Sequence, residues 1–163
     1  MPEIQGVDSK LYDKKYFESI DGAHYFSEDK TAPKFIYAVN TSGVTSGDSV
    51  LDIGCGRGDL MMALAQKGAD VTGIDYSHEA LDIAQKAIAR QSAKWKDKIK
   101  VLHSNATALN FPDQTFDYVF MTDIVELLYP LELKKCFEEC KRVLNPRGRL
   151  IVHTAPNRWY NDF

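Results

Sequence analysis

Three glycines at alternate positions follow a short apolar run: residues 50–60 read VLDIGCGRGDL. Glycine loses more backbone freedom on folding than any other residue. Gly54, Gly56 and Gly58 therefore imply a sharply bent path or a close approach to a ligand. Val50, Leu51 and Ile53 read as a buried strand with Asp52 set among them, and a helical pattern begins at Asp59. Strand, glycine turn and helix in that order open a βαβ unit, which commits the following chain to alternate strands with helices.

The alternation continues to the end. Ser49–Ile53 is a strand and 59–67 a helix, closed by Gly68. A second strand, DVTGID, covers Asp70–Asp75. Ser77 caps a helix predicted over 78–93, with Glu79 in its first turn and Leu81, Ala84 and Ile88 on its apolar stripe. Strands follow at 99–104 and Phe116–Thr122, then a helix at 131–144, an NPRG turn at 145–148 and a fifth strand at 149–154. The fold class is α/β: a doubly wound, mostly parallel sheet with helices on both faces. Residues 1–45, rich in aromatics, read as an N-terminal helical cap of two or three short helices, the last over 34–40. Residues 46–163 are the core.

A chain of 163 residues suits one domain, and 44% hydrophobic with 26% charged residues excludes a disordered chain. No apolar run reaches the roughly 18 residues of a membrane span, and MPEIQGVDSK lacks a signal peptide's apolar centre, so a cytoplasmic location is expected. A net charge of -3 gives no electrostatic reason to expect nucleic acid. Cys136 and Cys140 share a helix face but have no further ligand at metal spacing, so they read as small apolar fillers and no metal is expected. Cys55 suits its loop by size.

In doubly wound sheets the ligand lies beyond the carboxyl ends of the strands, where strand order reverses. The glycine loop follows the first strand, Asp75 ends the second, Asn105 follows the third, and Thr122 and Asp123 end the fourth. These converge on one rim. A dinucleotide suits the spacing, since Asp75 lies 21 residues after Gly54. Two details oppose it. Asp59 stands where the third glycine of G-x-G-x-x-G belongs, and Asp52 and Asp59 flank a loop that would hold a doubly anionic pyrophosphate. A cationic ligand reverses that objection.

From residue 50 to 157 the sequence resembles the class I S-adenosylmethionine-dependent methyltransferases. VLDIGCGRGDL matches their first motif and GIDYS their ribose-binding acid. FDYVFMTDIVELL resembles the end of their fourth strand, and RVLNPRGRLIVHTAPN their last turn and fifth strand. The resemblance implies S-adenosyl-L-methionine as cofactor and a pocket of Asp52, Gly54, Cys55, Gly56, Asp75, Tyr76, Asn105, Ala106 and Thr122. In it Asp52 faces the amino group, Asp75 accepts from the ribose hydroxyls, and Tyr76 lies along the adenine.

The sequence departs from the family in three places. Asn105 replaces the usual acid before Ala106, offering a neutral carbonyl to the adenine amino group. Glu126-Leu127 replaces Glu-His, removing an obvious base and leaving Glu126 as a solvated or capping residue. The family's last two strands are missing, so the chain reads as truncated after a fifth strand whose exposed edge predicts homodimerisation or reduced stability.

Methyl transfer needs a base only where the acceptor must lose a proton. Candidates are His24 and Tyr25, in a segment that in relatives folds over the cofactor with Tyr12, Tyr16 and Phe17, and Asp123. His153 reads as a satisfied core histidine, and His78 and His103 as structural or exposed. Lys94 to Lys98 reads as a solvated turn anchored by Trp95. The expected acceptor is a small molecule. No Asn/Asp-Pro-Pro-aromatic motif of base-amino methylation is present, since the fourth strand ends in MTDI. Three alternatives remain: a cofactor-binding module inactive through truncation, an NAD-binding oxidoreductase domain, and a purely structural domain that binds neither.

Overall fold

The computed structural model describes residues 14–19 and 31–154. Its sheet comprises β1 (Ser49–Ile53), β2 (Asp70–Asp75), β3 (Ile99–His103), β4 (Phe116–Thr122) and β5 (Leu144–His153). The order is β3-β2-β1-β4-β5 and every neighbouring pair is parallel. Strand order reverses between β1 and β4, which puts the crevice beside the glycine loop.

Among the described residues six α-helices accompany the sheet: α1 (Lys14–Ser19), α2 (Pro33–Ser42), α3 (Asp59–Gln66), α4 (His78–Ala89), α5 (Ala93–Lys96) and α6 (Pro130–Val143). The two-residue period of the strands divides the core. Val50, Val71 and Phe120 face one side with α2, α3 and α4, while Leu51, Ile53, Val119 and Met121 face the other with α6. Burying each such side chain contributes about 1.5–3 kcal/mol. Cys136 and Cys140 fill the α6 side, their sulfurs 3.9 and 3.8 Å from Met121 Sδ.

Local chemistry sets the boundaries. Ser77 Oγ accepts the Ala80 amide at 3.2 Å, capping α4, and Glu132 closes a capping box on the Tyr129 amide at the start of α6. The helix expected over 78–93 stops at Ala89. Arg90, Gln91 and Ser92 offer no apolar side chain to bury, and Ser92 is extended. The short α5 then brings Trp95 against the core. β5 begins five residues before its predicted start. Leu144 pairs with Phe116, Arg149 with Tyr118, and residues 145–148 bulge opposite Asp117. Asp117 holds both sides: its Oδ1 accepts from Asn145 Nδ2 at 2.7 Å and its Oδ2 from the Ser49 amide at 2.9 Å.

Gly73, in the middle of β2, decides how close α3 approaches. A Cβ there would lie 2.0 Å from Met61 Sδ and 2.9 Å from Cys55 Cβ, so helix and loop seat directly on bare backbone. No helix of the described residues is long and apolar enough to cross a membrane.

Candidate functional site

The loop after β1 folds back on β2. The amides of Gly54 and Cys55 both donate to Ile74 O at 2.9 Å, and that of Gly58 to Cys55 O at 2.9 Å. Gly54, Gly56 and Gly58 all have positive φ, at 72°, 52° and 90°. At Gly54 space is also exhausted, since a Cβ would meet Ile124 Cδ1 at 2.8 Å. The loop is tied to the second strand's terminal acid as well. Asp75 Oδ2 accepts the Gly56 amide and Oδ1 the Ser77 amide, each at 2.9 Å.

Two chambers open along this rim and share Gly54, Asp75, Tyr76, Ile124 and Leu127. The larger, about 280 Å³, extends past Ile53 and Ile74 to Ser104, Asn105 and Ala106. The smaller, about 150 Å³, is walled by Asp52, Cys55, Gly56, Asp59, Thr122 and Asp123, with Tyr16 of α1 and Lys34 of α2 closing it. The structure therefore brings Asp52, Gly54, Cys55, Gly56, Asp75, Tyr76, Asn105, Ala106, Thr122 and Asp123 to one continuous cleft. His24, Tyr25 and Tyr12 lie outside the described residues.

The smaller chamber is acidic and under-satisfied. Asp52 is 1% exposed, and its Oδ1 has no hydrogen-bond partner. Burial, then the charges of Asp75 and Asp59, push its carboxyl well above the usual range. Asp59 Oδ1 is likewise unpaired, and burial raises that acid too, against the opposing pull of Arg57, whose Nε lies 3.3 Å from Oδ2. Asp75 is raised by burial in spite of its backbone donors. Buried carboxylate oxygens without donors are costly, and a cationic, hydrogen-bonding group in the chamber relieves them. These acceptor oxygens fit an ammonium and a sulfonium, and they are hostile to a diphosphate.

Two expectations, on His153 and Asn105, need correction. His153 is not a core histidine: its side chain is 42% exposed and its Nδ1 lies 2.6 Å from Asp123 Oδ1. It stands at the rim end of β5, beside Thr122, where a strand's alternation no longer implies burial. Asn105 Oδ1 does not face an open site. It accepts from the amide and the hydroxyl of Thr107, both at 2.9 Å, which uses both lone pairs in a local turn. Glu126 is exposed and accepts from Thr154 Oγ1 at 3.0 Å, linking the turn after β4 to the end of β5. His103 stacks on His78, ring centres 4.0 Å apart, with its Nε2 3.1 Å from Tyr76 O.

Sequence reasoning missed Lys34 and Gly73. Lys34 Nζ meets Asp123 Oδ2 at 2.5 Å from 89 positions away, a pairing that leaves no local signature. Gly73 did carry a signal, since a glycine inside a strand marks close backbone approach.

A parallel sheet in this order, with an acid-lined glycine cleft at its switch point, defines the Rossmann-like S-adenosylmethionine-dependent methyltransferases. Residues 50–148 match the family model described as a methyltransferase domain, and the chain belongs to that family. A demethylmenaquinone methyltransferase of Bacillus licheniformis is 30% identical over 155 residues, 91% of this chain and 60% of the relative. A sterol 4-C-methyltransferase of Caenorhabditis elegans is 34% identical over 103 residues, 63% of this chain and 30% of the relative. Among solved structures, an S-adenosylmethionine-dependent methyltransferase of Methanosarcina mazei superposes with a TM-score of 0.63 at 34% identity, covering 70% of this chain and 55% of that one. The chain thus spans less than two thirds of the length of these relatives.

Proposed function

We propose that this chain moves a methyl group from S-adenosylmethionine to a small, largely apolar acceptor. The observation that carries the reading is the pair of buried, donorless oxygens, Asp52 Oδ1 and Asp59 Oδ1, in a chamber walled by glycine backbone. When bound, the cofactor supplies a methyl on positively charged sulfur, already activated, so alignment alone lowers the barrier by up to about 7–11 kcal/mol.

In this reading Asp52 and Asp59 receive the ammonium end. The backbone of Gly54, Cys55 and Gly56 passes beneath the methionyl and ribose portion, with Thr122 opposite. Asp75 Oδ2 holds the Gly56 amide and Oδ1 the Ser77 amide, and the carboxylate accepts from the ribose hydroxyls with its remaining lone pairs. Tyr76 flanks the adenine, and Asn105 and Ala106 lie at its edge. Because Thr107 fills Asn105 Oδ1, the side chain offers adenine its amide hydrogens, matched to a ring nitrogen instead of the exocyclic amine. Residues 1–45 act as the cap, contributing Tyr16 and Lys34.

An apolar acceptor is supported by the relatives, named for demethylmenaquinone and a sterol, and by the apolar cleft wall of Ile53, Ile124, Leu127 and Leu128. Pairing of two chains along β5, one of the two outer strands among those described, is a further proposal that light scattering decides.

The test is a thermal-shift series with S-adenosylmethionine, S-adenosylhomocysteine and NAD in parallel. A ligand at 100 times its dissociation constant stabilises the fold by about 2.7 kcal/mol. Stabilisation by both sulfur nucleosides is expected. Stabilisation by NAD alone overturns the reading.

A further inference from the structure

Asp123 joins two side chains that are remote in sequence. Its Oδ1 lies 2.6 Å from His153 Nδ1 at the end of β5, and its Oδ2 lies 2.5 Å from Lys34 Nζ on α2. An ionised carboxylate only accepts, so the ring nitrogen facing it carries the hydrogen. Neutral His153 is thereby held as the Nδ1–H tautomer, with its lone pair on Nε2.

Asp123 ties His153 to the wall of the smaller chamber. Thr122 and Asp123 wall the smaller, acidic chamber, and Thr122 is the register partner of His153 across β4 and β5. Asp123 also has φ +56°, a left-handed conformation that non-glycine residues adopt uncommonly and that concentrates at functional sites.

We propose that His153, oriented by Asp123, is the base that receives the proton a protic acceptor gives up as it is methylated; the proposal rests on the methyl-transfer reading above. The acceptor's lone pair forms the new bond to the methyl carbon while the sulfur–carbon bond breaks, its electron pair going to sulfur. The acceptor's proton passes to His153 Nε2. One positive charge moves from sulfur to the imidazolium, where the Asp123 carboxylate stabilises it. Lys34 pairs with the other oxygen of Asp123, and that acid, acting through His153, is a positioning residue. Glu126, held by Thr154, and the Tyr16 hydroxyl are the other titratable groups at this corner. The His153 side chain is partly exposed, so the proton can pass on to water.

The experiment has three readouts on the full chain. Nitrogen-15 spectra of the labelled protein, recorded at a pH where the His153 imidazole is neutral, are expected to show Nδ1 protonated and Nε2 bare, a preference lost in Asp123→Asn. An Nε2–H tautomer in the unaltered protein overturns the proposal, whether or not any acceptor turns over. Methyl transfer is then followed with two probes: 1,4-naphthohydroquinone, which must lose a proton, and dimethyl selenide, which has none to lose. His153→Gln is expected to slow the hydroquinone reaction by about 100-fold and abolish its rise with pH, with the selenide reaction unaffected. Equal losses on both probes, or no loss on either, refute the assignment. Calorimetry with S-adenosylhomocysteine separates the two levels: no binding by the unaltered protein defeats the cofactor reading, while the nitrogen spectrum still decides the His153–Asp123 pair.

Discussion

The amide of Gly56 donates to Asp75 Oδ2 at 2.9 Å, so the acid that ends β2 holds the loop that follows β1. Loop shape and ribose recognition therefore depend on one carboxylate. Asp75→Ala is expected to weaken S-adenosylhomocysteine binding by about 1–3 kcal/mol, the scale of hydrogen bonds to a charged group. Isothermal titration measures it, and an unchanged affinity removes Asp75 from the site.

Gly73 tests the packing beneath that loop. Gly73→Ala places a methyl group 2.0 Å from Met61 Sδ, and overpacking of this kind costs about 1–3 kcal/mol. Urea denaturation is expected to show a lower midpoint with an unchanged slope. Met61→Ala in the same chain recovers part of the loss, because it vacates the contested volume.

The buried acids give stability a defined pH dependence. Asp52 and Asp59 titrate above ordinary carboxylates when folded, burial being the first cause for each. Their stabilising contribution is fully present below the unfolded carboxylate value, about 4, and is lost as pH rises through the raised folded values. Ligand-free protein should thus lose stability from these groups as pH climbs above about 4, and Asp52→Asn should flatten the loss. Binding of an ammonium favours the ionised acids, so affinity for S-adenosylhomocysteine rises over the same window and protons are released. Calorimetry in buffers of different ionisation enthalpy counts them, and proton uptake on binding would contradict the assignment.

Asn105 offers a test of the adenine contact. Asn105→Asp retains an oxygen for Thr107 and replaces the amide hydrogens with a second oxygen. Weaker binding of S-adenosylhomocysteine by about 0.5–1.5 kcal/mol is expected, one hydrogen bond lost. Tighter binding would indicate that the exocyclic amine, and not a ring nitrogen, faces this side chain.

Residues near one another in sequence wrote their structure legibly. The glycine loop, the Ser77 cap, the Gly68 helix stop and the strand at Phe116–Thr122 all follow from short-range chemistry: backbone freedom, capping hydrogen bonds and side-chain period. The helix end at Ala89 and the bulge at 145–148 were misjudged, because both depend on what a neighbouring element leaves to be buried or paired.

By itself the sequence determined the alternating α/β order, the rim on which Asp52, Asp75, Asn105 and Thr122 meet, and a carboxylate-rich turn suited to a cation. Only the tertiary structure decided that His153 leaves the core to pair with Asp123, that Lys34 closes the same chamber, and that Thr107 occupies Asn105. Such pairings lower the energy only after the sheet has brought distant strand ends together, so no local pattern of residues records them.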